Sequence, residues 1–263
     1  MMYAAASILY IYFFVTKKQL MGTIASTITG LGLIAHTSAF GVRWYSAGYV
    51  PIEAGFESLF LFAWFAVFIL IVVEQVYQLK ILGMLLMPAA TILLGFAWSR
   101  YKAPTQLSAL VQSYWIALHV SVVFIAYAGF TLAAAVGILY LIQESQLKKR
   151  SVKNIFFRRL PSLEILDDLG ARAIIFALPF ITMTMITGVI RAITQDVKYW
   201  FLDPLVISTT VTWAVYGFYL GSRYILGWRG RRTAVVSLIG FAGILFIRFV
   251  VISYLTVFHQ FGT

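Results

Sequence analysis

The sequence predicts an all-α integral membrane protein, a bundle of about eight transmembrane helices with both termini outside. Three observations predict it. The 263 residues are 62% hydrophobic, with a mean hydropathy of +0.91. Only 11% are charged, against about 25% in a soluble domain. The basic residues gather in short loops between apolar runs. That is the pattern of topology determinants rather than of a nucleic-acid surface, despite a net charge of +11. No single water-soluble core hides this much apolar surface, so the bilayer is the solvent for most of it.

The first apolar run, 2–16, opens without the basic stretch and small-residue cleavage site of a signal peptide, so it is read as retained. It is short against the roughly 20 residues that cross about 30 Å of hydrocarbon. Runs 22–42 and 57–78 follow. Runs 81–98 and 172–192 contain Pro88 and Pro179, kinks a bundle tolerates because neighbouring helices satisfy the freed carbonyls. Run 113–142 ends just before Glu144 and leads into a basic stretch, 143–171, read as a cytoplasmic loop. Within it Leu163, Leu166 and Leu169 lie at helical spacing. This amphipathic piece rests against headgroups or the bundle, or docks a cytoplasmic partner. Residues 193–203 form an external aromatic loop ending in Asp203-Pro204, an N-cap and first-turn pair that starts run 204–226. Run 234–257 closes the chain, and residues 1–263 read as a single membrane domain.

Orientation follows from lysine and arginine. Fourteen fall in loops assigned inside, and five (Arg43, Arg100, Lys102, Arg191, Lys198) in loops assigned outside. His119 lies 25 residues before Glu144, roughly 37 Å at the helical rise, which is the outer boundary. His259 stands 25 residues beyond residue 234, at about the same height. Two imidazoles and the loop Tyr199-Trp200-Phe201-Leu202-Asp203-Pro204 thus converge on one face. Imidazoles are the usual axial ligands of haem iron, and aromatic side chains give a porphyrin flat apolar surface. A lone histidine at a helix end is more often a hydrogen-bonded anchor; two framing an aromatic loop shift the balance toward ligation. Tyr199, Trp200 and Phe201 fit an interfacial aromatic belt equally well.

Arg248 lies about 21 Å along the last helix, where a charge costs about 2.5–3.5 kcal/mol on insertion scales. It meets a haem propionate, or it snorkels outward or pairs with a carbonyl. Arg43 anchors to lipid phosphate or meets a propionate. Glu57 is a helix N-terminal charge or the partner of Arg43. His36, inside the second helix, reads as a packed histidine bonded to a neighbouring helix. The absence of cysteine excludes disulfides, thiol redox chemistry and a Cys-x-x-Cys-His haem attachment in this chain. No phosphate loop, His-x-x-His pair or nucleophile constellation is present, so there is no self-contained catalytic constellation.

Several segments, in order, carry a resemblance. They are Gly41-Val42-Arg43-Trp44-Tyr45 with Gly48, Pro51, Phe56-Glu57-Ser58-Leu59 and Trp64; Ser113-Tyr114-Trp115-Ile116-Ala117-Leu118-His119-Val120-Ser121; and Leu160-Pro161-Ser162-Leu163-Glu164-Ile165-Leu166-Asp167 with Ile186-Thr187-Gly188. After these come Tyr199-Trp200, Asp203-Pro204, Thr212-Trp213, Gly227-Trp228-Arg229-Gly230-Arg231-Arg232 and His259-Gln260-Phe261-Gly262. Together they resemble the membrane haem-handling proteins of cytochrome c assembly, the CcsA/ResC type with HemX-type relatives. The resemblance implies a non-covalent haem b ligated through iron by His119 and His259, on a platform formed by the tryptophan-rich loop. It also implies a bacterial cytoplasmic (inner) membrane location, a second membrane assembly subunit and an apocytochrome c as partners. The family's further tryptophans stand where this chain has Asp196 and Leu202. Losing two indoles removes flat surface, and Asp196 adds a negative charge near anionic propionates, partly offset by Arg191 and Lys198. That departure keeps a second reading open: a HemX-like regulatory protein with weakened haem binding, partnered through 143–171 by a cytoplasmic haem-biosynthesis enzyme. A transporter ranks last, since no inverted repeat is visible.

Overall fold

The computed structural model describes residues 1–52, 55–101, 113–149 and 159–255, the last four of these as backbone only. Among the described residues there are eight α-helices: α1 (Met2–Thr16), α2 (Gln19–Ala47), α3 (Phe56–Tyr77), α4 (Ile81–Trp98), α5 (Tyr114–Lys148), α6 (Leu163–Thr194), α7 (Pro204–Tyr224) and α8 (Arg231–Phe246). A 3-10 turn, Trp200–Leu202, precedes α7, and a π-helix, Ile247–Leu255, continues α8.

Among the described residues six segments are long and apolar enough to cross a membrane: Gln19–Ala47, Phe56–Tyr77, Ile81–Trp98, Tyr114–Lys148, Leu163–Thr194 and Arg231–Val251. The expected eight spans are therefore eight helices, of which length and composition support six. α1 has 15 residues, about 22 Å. α7 has the length, but Ser208, Thr209, Thr210, Thr212 and Arg223 make it too polar.

The stretch 143–171 is not a loop throughout. α5 continues to Lys148, and α6 starts at Leu163 on an N-cap in which Ser162 Oγ accepts from Ile165 N at 3.4 Å. Leu166 and Leu169 are the buried face of α6's opening turns and pack into the bundle. Residues 150–158 lie outside the described residues. The last helix departs too, because its α-helical part ends at Phe246. A π-helix packs more residues into each turn, so the height of His259 reckoned from an α-helical rise does not follow.

The described chain forms two compact units, Met1–Leu118 and His119–Thr263. In the first, α1 packs on α2 and α4, and α3 packs on α4 and α2. α1 buries Tyr3, Ala6, Ser7, Tyr10 and Phe14, one helical stripe. A Cβ at Gly83 would sit 2.6 Å from the Tyr10 ring, so the missing side chain is what lets α4 close on α1. In the second unit α7 packs on α6 and α8. Tyr216 of α7 is wholly buried, stacks on Phe130 at 3.7 Å and fills the space a side chain at Gly240 would need.

Candidate functional site

His119 stands in the second turn of α5, which Ser113 caps by accepting from Trp115 N at 3.3 Å. Its ring is half-buried, and Nδ1 lies 2.8 Å from Thr187 Oγ1 on α6. The Thr187 oxygen is also 2.9 Å from Met183 O and 3.0 Å from Thr184 O. A hydroxyl has one hydrogen, and a threonine within a helix ordinarily gives it to a carbonyl of its own helix. With that hydrogen on a carbonyl the oxygen accepts from the imidazole, and the tautomer that fits carries its proton on Nδ1 and its lone pair on Nε2. Metal-ligating histidines characteristically donate their second ring N–H in this way. The next residue, Gly188, leaves room for the ring: a Cβ there would lie 3.3 Å from His119 Cε1.

Gln195 follows α6 eight residues beyond Thr187, about 12 Å further along. Asp196 and Tyr199 take left-handed backbone angles, φ 50° and 57°. For a residue as bulky as tyrosine this costs on the order of 1–3 kcal/mol, and such strain gathers at functional loops. The turn Trp200–Leu202 then runs into Asp203, whose buried carboxylate accepts from Leu205 N at 2.7 Å, with Pro204 opening α7. Asp203 is thus the N-cap its sequence context predicts. The loop presents Tyr199, Phe201 and Leu202 to the exterior, with Trp200 edge-on to Phe201 at 5.9 Å. Beside these apolar groups the loop also exposes Gln195, Asp196 and Lys198.

The other expected residues divide. Arg248 is the second residue of the π-helix and half-buried. Arg43 donates through Nε to Glu57 Oε1 at 2.8 Å and bonds the same oxygen through Nη2, under the rings of Phe56 and Tyr101 at 5.1 and 5.2 Å. Glu57 holds both roles proposed for it, since it also occupies the first turn of α3. His36 is buried, with Nδ1 3.2 Å from the Tyr3 hydroxyl on α1 and Phe60 edge-on at 3.9 Å, the packed arrangement expected for it. His259 lies outside the described residues.

Two polar sites were not anticipated. In the second unit, Asp167 of α6 accepts from Arg223 Nη1 (2.7 Å), Gly230 N (2.8 Å) and Thr233 Oγ1 (3.2 Å). One carboxylate thereby ties the start of α6 to the end of α7 and the start of α8. The sequence signal was Arg223, a lone cation at the end of an apolar run, opposite an acid at the start of another. In the first unit Glu74, three residues before the end of α3, is buried and accepts from Tyr10 at 2.6 Å and from Ser26.

Residues 53–259 match the family model described as Cytochrome C assembly protein. The chain is 30% identical over 231 residues to the cytochrome c biogenesis protein CcsA of Guillardia theta, covering 81% of this chain and 77% of that one. It is 27% identical over 246 residues to the protein so described from Mesostigma viride, covering 85% and 80%. To that of Microcystis aeruginosa it is 27% identical over 269 residues, covering 84% and 82%.

Proposed function

The chain belongs to the cytochrome c assembly protein family, and from that premise we propose that it holds a non-covalent haem b at the outer membrane face, with His119 and His259 as the two iron ligands. The single observation that carries this reading is the 2.8 Å hydrogen bond between His119 Nδ1 and Thr187 Oγ1. It holds the ring by Nδ1, and with the proton there Nε2 carries the lone pair a ligating imidazole needs. Tyr199 and Trp200 supply the apolar surface against a porphyrin, Asp203 fixes the turn that carries them, and Arg248 faces a propionate. Arg43 stays with Glu57 and steadies the first unit.

Haem iron, when bound, supplies a centre that two imidazoles saturate and that is redox-active. This chain's own part is to bind, orient and shield. It has no cysteine, so a thioether bond would form on a partner's cysteines. We place both termini and the 193–203 loop outside, the basic stretch 143–171 inside, and the protein in a bacterial cytoplasmic membrane beside a second assembly subunit and an apocytochrome c. The test is the absorption spectrum of the purified protein. A bis-imidazole spectrum, lost when His119→Ala and His259→Ala are combined, supports the reading. A colourless protein that haem does not reconstitute would overturn it, and would favour the HemX-like regulatory alternative that the missing indoles at Asp196 and Leu202 suggest.

A further inference from the structure

At one end of the first unit lies a polar cavity of about 250 Å³, lined by Thr23, Ser26 and Thr27 of α2, Glu74 and Gln75 of α3, and Lys80 before α4, with Gln78 beside them. Glu74 is 4% exposed, and both its oxygens accept from neutral hydroxyls, those of Tyr10 and Ser26. No lysine or arginine among the described residues pairs with it. An ionised carboxylate held in a protein without a counter-charge is costly, and this one keeps lone pairs to spare. On the other wall, Lys80 Nζ donates to Thr23 Oγ1 at 3.3 Å and has further hydrogens to give.

The cavity therefore presents one negative and one positive group that do not satisfy each other. A bare metal ion is a poor occupant, because Glu74 is the only carboxylate in the lining and Lys80 repels a cation. A simple anion meets the opposite repulsion. A zwitterion meets neither. Depth selects its source. Glu74 is three residues from the end of α3, Thr23 four from the start of α2, and Lys80 caps α4. At 1.5 Å per residue its lining lies within about 12 Å of the helix ends, where hydrocarbon gives way to headgroups. Lys17 and Lys18 end α1 and begin α2 at the same level. Thr23, Thr27, Gln75 and Gln78 are exposed, so the cavity opens on the outside of the unit.

We propose that this cavity binds the headgroup of a zwitterionic phospholipid with a primary ammonium, phosphatidylethanolamine, its ammonium on Glu74 and its phosphate on Lys80. A primary ammonium donates hydrogen bonds to a carboxylate, whereas the quaternary ammonium of phosphatidylcholine has none to give. The two lipids, matched in acyl chains, are therefore a direct probe. The full chain purified in detergent is offered an equimolar mixture of both, and the retained lipid is counted by native mass spectrometry. The expected result is about tenfold preference for phosphatidylethanolamine, the worth of a charge-assisted hydrogen bond. Glu74→Gln should bring that preference close to one, and Lys80→Met should lower retention of both lipids alike.

Equal retention of the two lipids by the unaltered protein overturns the proposal, and needs no variant to fold. Stronger retention of phosphatidylglycerol than of either overturns it as well, since that would mark a simple anion site. Displacement of the lipid by an equal concentration of free phosphoethanolamine would assign the site to a soluble amine and overturn the lipid source. The proposal is independent of haem: a protein that never binds haem would still show the lipid preference.

Discussion

The hydrogen bond between His119 and Thr187 joins residues 68 apart in sequence, and it decides what the imidazole can do. Thr187→Val removes the acceptor while keeping the shape, so the ring loses both its tautomer preference and its orientation. Loss of such an outer partner typically costs about 10–100-fold in metal affinity, so haem titration of Thr187→Val should show a weakening of that size. Thr187→Ser, which keeps the oxygen, should bind close to the unaltered protein. In the haem-free protein, nitrogen NMR of the His119 ring should report a single tautomer that becomes mixed in Thr187→Val. An unchanged tautomer would show that Thr187 does not position the ring. At this scale the sequence was legible where the chemistry is local. Asp203 followed by Pro204 announces an N-cap because donor and acceptor lie two residues apart. The partner of His119 was not legible, because nothing local connects a histidine to a threonine on another helix, although both stood inside family-like segments.

Between helices, the Asp167 carboxylate joins three ends that hydropathy treats as separate. Arg223 is almost entirely buried beside it, with side-chain exposures of 6% and 12% for Arg223 and Asp167. Asp167→Ala strands that guanidinium, and removing one partner of a buried pair costs about 3–5 kcal/mol. Denaturant unfolding in detergent should show a loss of that order. Replacing both partners, Asp167→Ala with Arg223→Met, should cost less than the first change alone, because no charge is then left uncompensated. Strictly additive effects would mean that the pair does not act as a unit. Helix existence was readable from apolar runs, and six of the eight are span-like in length and composition. Helix ends were not, because hydropathy marks where lipid stops, whereas a helix continues while its carbonyls and amides are capped. α2, α5 and α6 run to 29, 35 and 32 residues for that reason. The π-helix after Phe246 had no sequence signal at all.

Taken whole, the chain is a multi-pass membrane protein whose two least span-like helices are sheltered by protein. α1 buries Tyr3, Ser7 and Tyr10 against its neighbours, and α7 buries Thr212, Tyr216 and Ser222. Tyr3, Ser7 and Tyr10 bond groups on α2, α4 and α3, and Tyr216 bonds Ser237 O on α8, while Ser208, Thr210 and Ser222 bond carbonyls of α7 itself, so these polar groups have partners within the protein. Orientation is then set by the loops. With fourteen lysines and arginines assigned to one side and five to the other, the bias predicts both termini outside, on the face proposed for His119 and the aromatic loop. The chain has no cysteine, so one introduced thiol is a unique reporter. Ser99→Cys and Gln195→Cys, at exposed positions after α4 and α6, should react with an impermeant maleimide in intact cells. Lys17→Cys and Lys149→Cys, exposed at the other ends of α1 and α5, should react only after the membrane is opened. The reverse pattern would put His119 on the cytoplasmic side and remove the external haem site with it. Labelling at all four positions in intact cells would show that the bundle is not a barrier between them.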